Sequence, residues 1–546
     1  QMMASNKILS VALDFGTTYS GYAFSFRHDK ENIITSRWTG KDYISVKAPT
    51  SVLFTPQKKF DSFGFEAEDK YAELSKIGTH KDWYMFKYFK LVLIHEKKLS
   101  KVTEIKDVYG KKMAAMDVFS AGIKFLKDEF CKNCSSRNLA FDDSYIQWIL
   151  TVPAIWDDAA KQFMRLAANQ AGIPDESLMV VLEPDAAAMV ASIYSMCEEG
   201  EKYLILDCGG GTVDVSIMKK TSKGRVDCIY RPTGGVWGGT KVDDAFQEFL
   251  IKNFGEDHFQ RMEKDEVLEV LRSFESAKKK AQNPDERQVK IWLPLTLREH
   301  SHLLPIKECI NRDKLILSVD QVVELFQKPV SKIVSHLQEI IKDPELYGLK
   351  YIIMVGGFSE SAILQSAVQT NFPDIDVLVV ENPGSAVLEG AVGVGHNPKV
   401  IEKRRSAYTY GIGTMKNFVE GFHHPTKAEI IDGEKLCGDI FCKFVKINEV
   451  IEINQTTVTK SFNPTRFGQK SMLLSVYRST LEKPRYVTDS GCEEIGHIVV
   501  QMPDLTGEKD RIMKVSISFG ETELRVEATD KTTSRKYTAA FDFLGD

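Results

Sequence analysis

LDCGGGTVDVS, residues 206–216, sets an aspartate before three consecutive glycines and a threonine, then resumes an apolar run. Three glycines in a row weaken an ordinary strand, because each adds backbone freedom and none brings a side chain to pack. Their use is a close approach to the main chain. An earlier stretch shares the grammar: VALDFGTTYS, residues 11–20, ends an apolar run on Asp14 and continues through Gly16, Thr17, Thr18 and Tyr19. Asp207 follows Asp14 by 193 positions, as a duplicated half-domain would place it.

Each copy has a chemical logic. Gly209, Gly210 and Gly211 let successive N–H groups converge on an anion, and the hydroxyls of Thr17, Thr18 and Thr212 add donors at the rim. Asp14 and Asp207 offer hard oxygen to Mg²⁺ through its waters. Two such hairpins face to face would grip one triphosphate. Either loop alone reads equally well as a tight turn; the matched pair favours the phosphate site. The pattern GxxxxGK[ST] is absent, so no P-loop lysine is expected.

Two further glycine turns follow. Gly238-Gly239 precedes an amphipathic stretch, and Gly356-Gly357 follows an apolar strand, ahead of Phe358 and Ser359, where a helix N-terminus can meet polar ligand atoms. Glu275, Lys278 and Lys279 fall at i, i+3 and i+4, a spacing that by itself favours a solvated charged face.

The 546 residues exceed one core, and a composition of 43% hydrophobic and 27% charged with net charge −5 gives no reason to expect nucleic acid as a partner. No run approaches the ~20 apolar residues of a transmembrane helix. The start shows no signal-peptide pattern, and nine cysteines, an odd number, suit reduced thiols, so a cytoplasmic setting is expected. Cys131 and Cys134 read as packing or surface thiols, and His423-His424 as solvent-facing. The basic cluster Lys403-Arg404-Arg405 reads as solvated linker.

Strands and helices alternate up to about residue 395, with helices expected over Asp157–Ala171 and Asp117–Phe130, which argues for an α/β architecture. From about 440 onward, short alternating runs between turn residues indicate an antiparallel sandwich or barrel. The expected division is 1–397 and 398–546.

In order, LDFGTTYS, TVPAIWDDAAKQF, VVLEPDAAAM, LILDCGGGTVDVSIM, GGVWGGTKVDDAF, ESAKKKAQ, IIMVGGFSES and ENPGSAVLEGAVGVG resemble the seventy-kilodalton heat-shock chaperone family, in its divergent member-12 branch, within the actin-like ATPase superfamily. The resemblance implies a duplicated, two-lobed α/β actin-like ATPase domain followed by an all-β sandwich. It implies ATP or ADP as ligand with Mg²⁺, and K⁺ as an accompanying ion. Thr17 and Thr18 would meet the β- and γ-phosphates, with Gly16 and Tyr19 beside them. Asp14 and Asp207 would hold Mg²⁺ through water, and Thr212 would orient the γ-phosphate. Glu183 and Asp214 would position the attacking water. Lys90, with Lys87 as the alternative, would be the catalytic lysine. Gly238, Gly239, Glu275, Lys278, Lys279, Gly356, Gly357, Phe358 and Ser359 would line the nucleoside pocket, which reverses the solvated reading of Glu275 and Lys278.

Departures from the family pattern touch communication rather than the phosphate site. No helical lid is expected after the sandwich, the linker KVIEKRRSAYTYGIGT is basic and aromatic, Lys161 replaces an arginine, and Gly384 replaces an aspartate at the adenine end. Lysine cannot make the bidentate fork of arginine. The leading expectation is a weak ATPase acting as an atypical chaperone, with client polypeptides or protein partners on the sandwich. The alternative is a nucleotide-gated scaffold with little turnover.

Overall fold

The computed structural model describes residues 7–39, 44–96, 98–137, 142–222, 224–280, 288–299, 304–453, 456–519, 524–531, 534, 536–539 and 543–544. Leu9–Phe15 is buried at every position, the reason it reads as a continuous apolar run rather than an alternation. It turns back antiparallel into Tyr19–Phe26 and lies parallel to Ile146–Val152, which in turn pairs parallel with Leu178–Leu182. Asp29–Thr35 completes the other side. Parallel partners need crossovers, supplied here by helices Ala115–Ser136 and Asp158–Gln170.

A second sheet follows the same plan. Lys202–Cys208 turns back into Val213–Lys220, lies parallel to Leu349–Val355, and Asp376–Val379 adds the outer parallel strand. Val226–Cys228 continues the antiparallel side. Between the sheets, one core joins Ala12 and Ile149 of the first to Ile205 and Ile353 of the second through Ala186, Ala187 and Ala391. Small side chains allow this approach: a Cβ on Gly390 would meet the Ala186 carbonyl oxygen at 1.9 Å.

Asp157 caps its helix as expected, its carboxylate accepting the Ala160 N–H at 2.9 Å, and Gly172 ends it in the left-handed region with φ 84°. The second expected helix runs longer, Ala115–Ser136. All nine cysteines are free thiols, and Cys134 is packed in that helix's buried face.

Beyond residue 405, two antiparallel sheets enclose a separate core. One comprises Ala428–Ile431, Glu434–Val445, Thr409–Asn417, Ser471–Ser479 and Cys492–Gln501. The other comprises Thr457–Phe462, Met513–Ser518, Arg525–Asp530 and Lys536–Ala539. Ile412, Leu474, Val500, Val515 and Val526 meet between them.

Two sequence readings are corrected. The basic cluster is no solvated linker: Ile401–Arg405 is a strand of the second sheet, parallel to Val226–Cys228 and antiparallel to Val450–Glu452. Arg404 reaches the Asp185 carboxylate at 2.8 Å and Arg405 reaches Glu345 at 3.0 Å. Carboxylates from sequence-distant elements neutralise a cluster that looks free in one dimension. Nor does His423 face solvent. Its Nδ1 accepts the Val419 N–H at 2.9 Å and its ring packs against Phe418 and Phe422. Among the described residues, no helix is long and apolar enough to cross a membrane.

Candidate functional site

The two glycine loops cap the hairpins at equivalent corners of the two sheets, and their tips touch. A Cβ on Gly210 would lie 2.2 Å from Thr18 Oγ1 and 2.8 Å from Thr18 Cβ; one on Gly211 would lie 2.6 Å from Thr17 Oγ1. Of the three glycines read from sequence as room for an anion, Gly210 and Gly211 are demanded first by the partner loop, whereas a Cβ on Gly209 would meet only the Thr212 carbonyl oxygen of its own hairpin, at 3.2 Å. Gly16 has its own reason: a Cβ there would meet the Tyr19 carbonyl oxygen at 2.2 Å. The carbonyls of Gly209, Gly210 and Gly211 accept the amides of Gly239, Thr240 and Gly238 at 3.1, 2.8 and 3.3 Å, which fixes the second loop.

Between the loops opens a cavity of about 240 Å³. Asp14, Gly16, Thr17, Thr18, Tyr19, Lys90, Glu183, Asp207, Gly209, Gly210, Gly211 and Thr212 line it. Asp14 and Asp207, which end corresponding strands, share this space. Lys90 is 3% exposed, stands 3.5 Å from Glu183 Oε1 and lies over the Trp156 ring at 4.8 Å. Lys87 instead pairs with Glu68 at 2.8 Å and lines the larger adjoining space, which Thr17, Thr18 and Tyr19 also border, whereas Lys90 lines the cavity between the loops.

Asp214 is opposite Asp207 in the hairpin register and lies behind the cavity wall, where it accepts the Ile155 N–H at 3.1 Å. It thereby ties the VPAI segment to the glycine loop. Burial raises its pKa to about 6 against the opposing pull of the Ile155 amide. Burial likewise raises Glu183 to about 7, with Lys90 opposing and Asp14 and Asp214 adding to the rise. Asp207 is pushed well above the carboxylate range by burial and then by Glu183, Asp214 and Asp14. Asp14 goes the other way. Burial pushes it up, but Lys47 and Lys90 outweigh that and hold it below its usual value. Four buried carboxylates therefore face few cations, a deficit that a divalent ion would offset. Among the described residues no three His, Cys, Asp or Glu side chains converge closely enough to ligate a metal directly.

The other end of the cavity is built from helices Thr240–Phe254 and Lys264–Lys280. Lys278 is buried and bridges Asp243 at 2.7 Å and Glu275 at 2.5 Å, so spacing alone misjudged Lys278 as part of a solvated face. Burial lowers the Lys278 pKa, but Glu275 and Asp243 outweigh it and raise the ammonium above its ordinary value. Gly239, Gly356, Gly357, Phe358 and Gly384 complete the lining. Gly384 leaves room for Glu360, whose Oε1 would lie 2.6 Å from a Cβ there. Gly238 and Ser359 lie behind the wall. A Cβ on Gly238 would meet the Gly210 and Gly209 carbonyl oxygens at 2.4 and 2.6 Å, and Ser359 Oγ donates to the Val355 carbonyl at 2.6 Å. The side chain of Lys279 falls outside the described part of the chain.

Sequence reasoning missed Lys47, Asp243 and Glu360, which also line the cavity. Lys47 sits in no glycine turn, while Asp243 in KVDDAF, beside Gly239, and Glu360, closing the turn Gly357–Glu360, lay within reach of the motifs. It missed as well the ion pairs across the upper cleft. Arg272 gives both terminal nitrogens to Asp69 at 3.0 Å, and Lys81 meets Glu263 at 3.0 Å. Arg272 also lines a larger space of about 1480 Å³, which Thr17, Thr18 and Tyr19 border as well.

Comparison with known proteins follows this geometry. The sequence model of the family described as Hsp70 protein matches residues 87–397. The chain is 32% identical to Heat shock 70 kDa protein 12A of Mus musculus, across 98% of its own length and 92% of that protein. It is 31% identical to Heat shock 70 kDa protein 12B of Homo sapiens, across 98% and 91%. Chaperone protein DnaK of Mycoplasmopsis agalactiae is 25% identical over 49% of this chain and 44% of that protein. Likeness along nearly the whole length to proteins 12A and 12B supports the member-12 branch; this chain belongs to the Hsp70 family.

Proposed function

We propose that this chain is an atypical chaperone that binds ATP between its glycine loops, hydrolyses it slowly, and holds extended polypeptide on its C-terminal sheets, read as a β-sandwich. The observation that carries the reading is the shared cavity, where two threonine and glycine loops, the buried carboxylates of Asp14, Glu183 and Asp207, and Lys90 surround a space of about 240 Å³. Thr17, Thr18 and Thr212 would orient phosphate oxygens, and Lys90 would bring its ammonium to the γ-phosphate. Glu183, poised near pH 7, would hold or release a proton of the attacking water. Asp14 and Asp207 fit a hydrated Mg²⁺, which supplies charge neutralisation to the polyphosphate. Such chemistry needs positioning and electrostatics, with little covalent help. Glu275 and Lys278 would meet the ribose, and Gly356 to Phe358 the base.

Contacts between the C-terminal sheets and the first lobe support a nucleotide-linked response. Tyr410 donates to Asp158 at 3.4 Å and Arg478 reaches Asp157 at 3.6 Å. Both aspartates sit at the start of the helix that follows Ile155, whose amide is held by Asp214 behind the cavity. One observation favours a nucleotide-gated scaffold instead: Ile401–Arg405 is paired on both sides within the second sheet, which resists rearrangement of the connection.

Single-turnover hydrolysis of ATP by wild type, Lys90→Ala, Asp207→Ala and Thr212→Ala, with and without an unfolded peptide, decides between them. The chaperone reading expects slow phosphate release that responds to peptide and drops by about 100-fold or more in the variants, as for one lost transition-state donor. Tight ATP binding with no phosphate release in wild type would leave only the scaffold.

A further inference from the structure

Lys47 belongs to none of the loops that the sequence singles out, yet the fold directs it into the cavity. The segment that carries it is fixed from several sides. Ala48 and Pro49 pair with Ser20 and Tyr19 of the first hairpin. Ser36 Oγ donates to the Val46 carbonyl at 2.7 Å, and the Lys47 N–H donates to Ser45 Oγ at 3.2 Å. The stem then crosses Gly21, the residue opposite Asp14 in the hairpin register. A Cβ on Gly21 would meet the Val46 carbonyl oxygen at 2.8 Å and Lys47 Cγ at 3.0 Å, so the glycine keeps that path open.

At its end Lys47 Nζ donates to Asp14 Oδ2 at 2.5 Å, with the lysine side chain only 16% exposed. The other oxygen of Asp14 accepts Thr151 Oγ1 at 3.0 Å. Both oxygens of Asp14 are thus engaged by the chain itself. No hydrogen-bond donor among the described residues reaches the Asp207 carboxylate, although it lines the same space. The two corresponding aspartates are therefore not equivalent. Asp207 offers its whole carboxylate to the waters of a cation, whereas Asp14 offers only the lone pairs that Lys47 and Thr151 leave.

Resting on the nucleotide reading above, we infer that Lys47 is a built-in cation of the polyphosphate site. It neutralises the Asp14 side of the cavity and gives its remaining ammonium N–H donors to the phosphate oxygens of a nucleoside di- or triphosphate. An ammonium has three donors, of which Asp14 takes one. The site then holds nucleotide with less demand for divalent metal than a site in which both aspartates act only through Mg²⁺.

The test is ADP affinity by titration calorimetry in EDTA and in excess Mg²⁺, for wild type, Lys47→Met and Lys47→Arg. Loss of one charge-assisted hydrogen bond should weaken ADP binding about 10- to 100-fold in EDTA. The affinity ratio between the two conditions should widen by about tenfold in Lys47→Met and stay near wild type in Lys47→Arg. An unchanged ratio in Lys47→Met overturns the inference. Should that variant not fold, Lys47→Gln carries the same comparison. A second arm uses wild type alone. ADP should raise the melting temperature in EDTA as well as in Mg²⁺. A rise confined to Mg²⁺ overturns the role of Lys47 and leaves the nucleotide reading standing, whereas no rise in either removes both.

Discussion

Replacing Gly210 by alanine adds one methyl group at the point where the two loops meet. The new Cβ would fall 2.2 Å from Thr18 Oγ1, 2.4 Å from Thr18 Cγ2 and 2.8 Å from Thr18 Cβ. Rotating the threonine moves the first two atoms but not its Cβ, and a β-branched side chain has few rotamers to choose from. The loops must therefore separate by several tenths of an ångström. Overpacking of this kind costs about 1–3 kcal/mol, and at about 2–4 °C per kcal/mol for domains of 150–250 residues the ATPase-like region should melt a few degrees lower without any ligand. Gly357→Ala is the matched control. It lines the same cavity, yet nothing lies within 4 Å of its added Cβ. Its melting temperature without ligand should stay within about 1 °C of wild type, since an unobstructed substitution of this kind changes stability by about 0.5 kcal/mol or less. Both variants should weaken nucleotide binding, Gly210→Ala by separating the loops and Gly357→Ala by occupying ligand space. Differential scanning fluorimetry with and without ADP reads both effects. An unliganded melting temperature for Gly210→Ala equal to that of Gly357→Ala would refute the argument that loop contact, before any anion, requires the glycine.

Other consequences can be checked separately. Arg272→Ala removes the paired contact to Asp69 across the upper cleft; nucleotide release, followed by stopped-flow fluorescence, should accelerate several-fold, and less so in high salt because the arginine is partly exposed. Arg404→Met leaves Asp185 buried without its cation and should cost about 3–5 kcal/mol in urea unfolding, whereas adding Asp185→Asn should recover part of that loss. Glu183 and Asp214 have folded-state pKa values of about 7 and about 6, above their unfolded values, so the folded protein binds more protons than the unfolded chain from about pH 4 to 7. Unfolding free energy without ligand should therefore decrease as pH rises through that window, and chemical denaturation in EDTA at a series of pH values measures the slope.

Local chemistry explains what the sequence disclosed and what it withheld. The paired loops were legible because glycine triplets have few uses and because two copies with leading aspartates reinforce each other. The strands were legible because burial on both faces leaves continuous apolar runs, as in Leu9–Phe15. The helix at Asp157 announced itself through its cap and its terminal glycine. What stayed hidden depends on partners far along the chain. Lys278 looks solvated until Asp243, 35 positions earlier, closes over it. Arg404 looks like linker until Asp185, 219 positions away, receives it. Lys47 carries no signal at all, because its meaning lies in Gly21 and Asp14 across a hairpin.

A chain can keep the paired glycine loops while its connection to the C-terminal sheets diverges. Loop contact is short-ranged: the Gly210–Thr18 and Gly211–Thr17 approaches tolerate no added atom. The connection is held by strand pairing and ion pairs, which accept many sequences provided each buried charge keeps its complement. A basic strand is workable here only because Asp185 and Glu345 face it. Asp185 lies in the EPDAA helix, whose first residue, Glu183, lines the cavity. Displacing Arg404 would thus expose an uncompensated carboxylate two residues from a group that titrates near pH 7, and the rising pH that charges Glu183 should make that displacement costlier. On this argument the penalty of Arg404→Met grows from pH 5.5 to pH 8, by about 0.5 kcal/mol or less, because side chains two apart on a helix do not face each other. A penalty independent of pH in paired urea titrations would show that the strand and the cavity respond to charge separately.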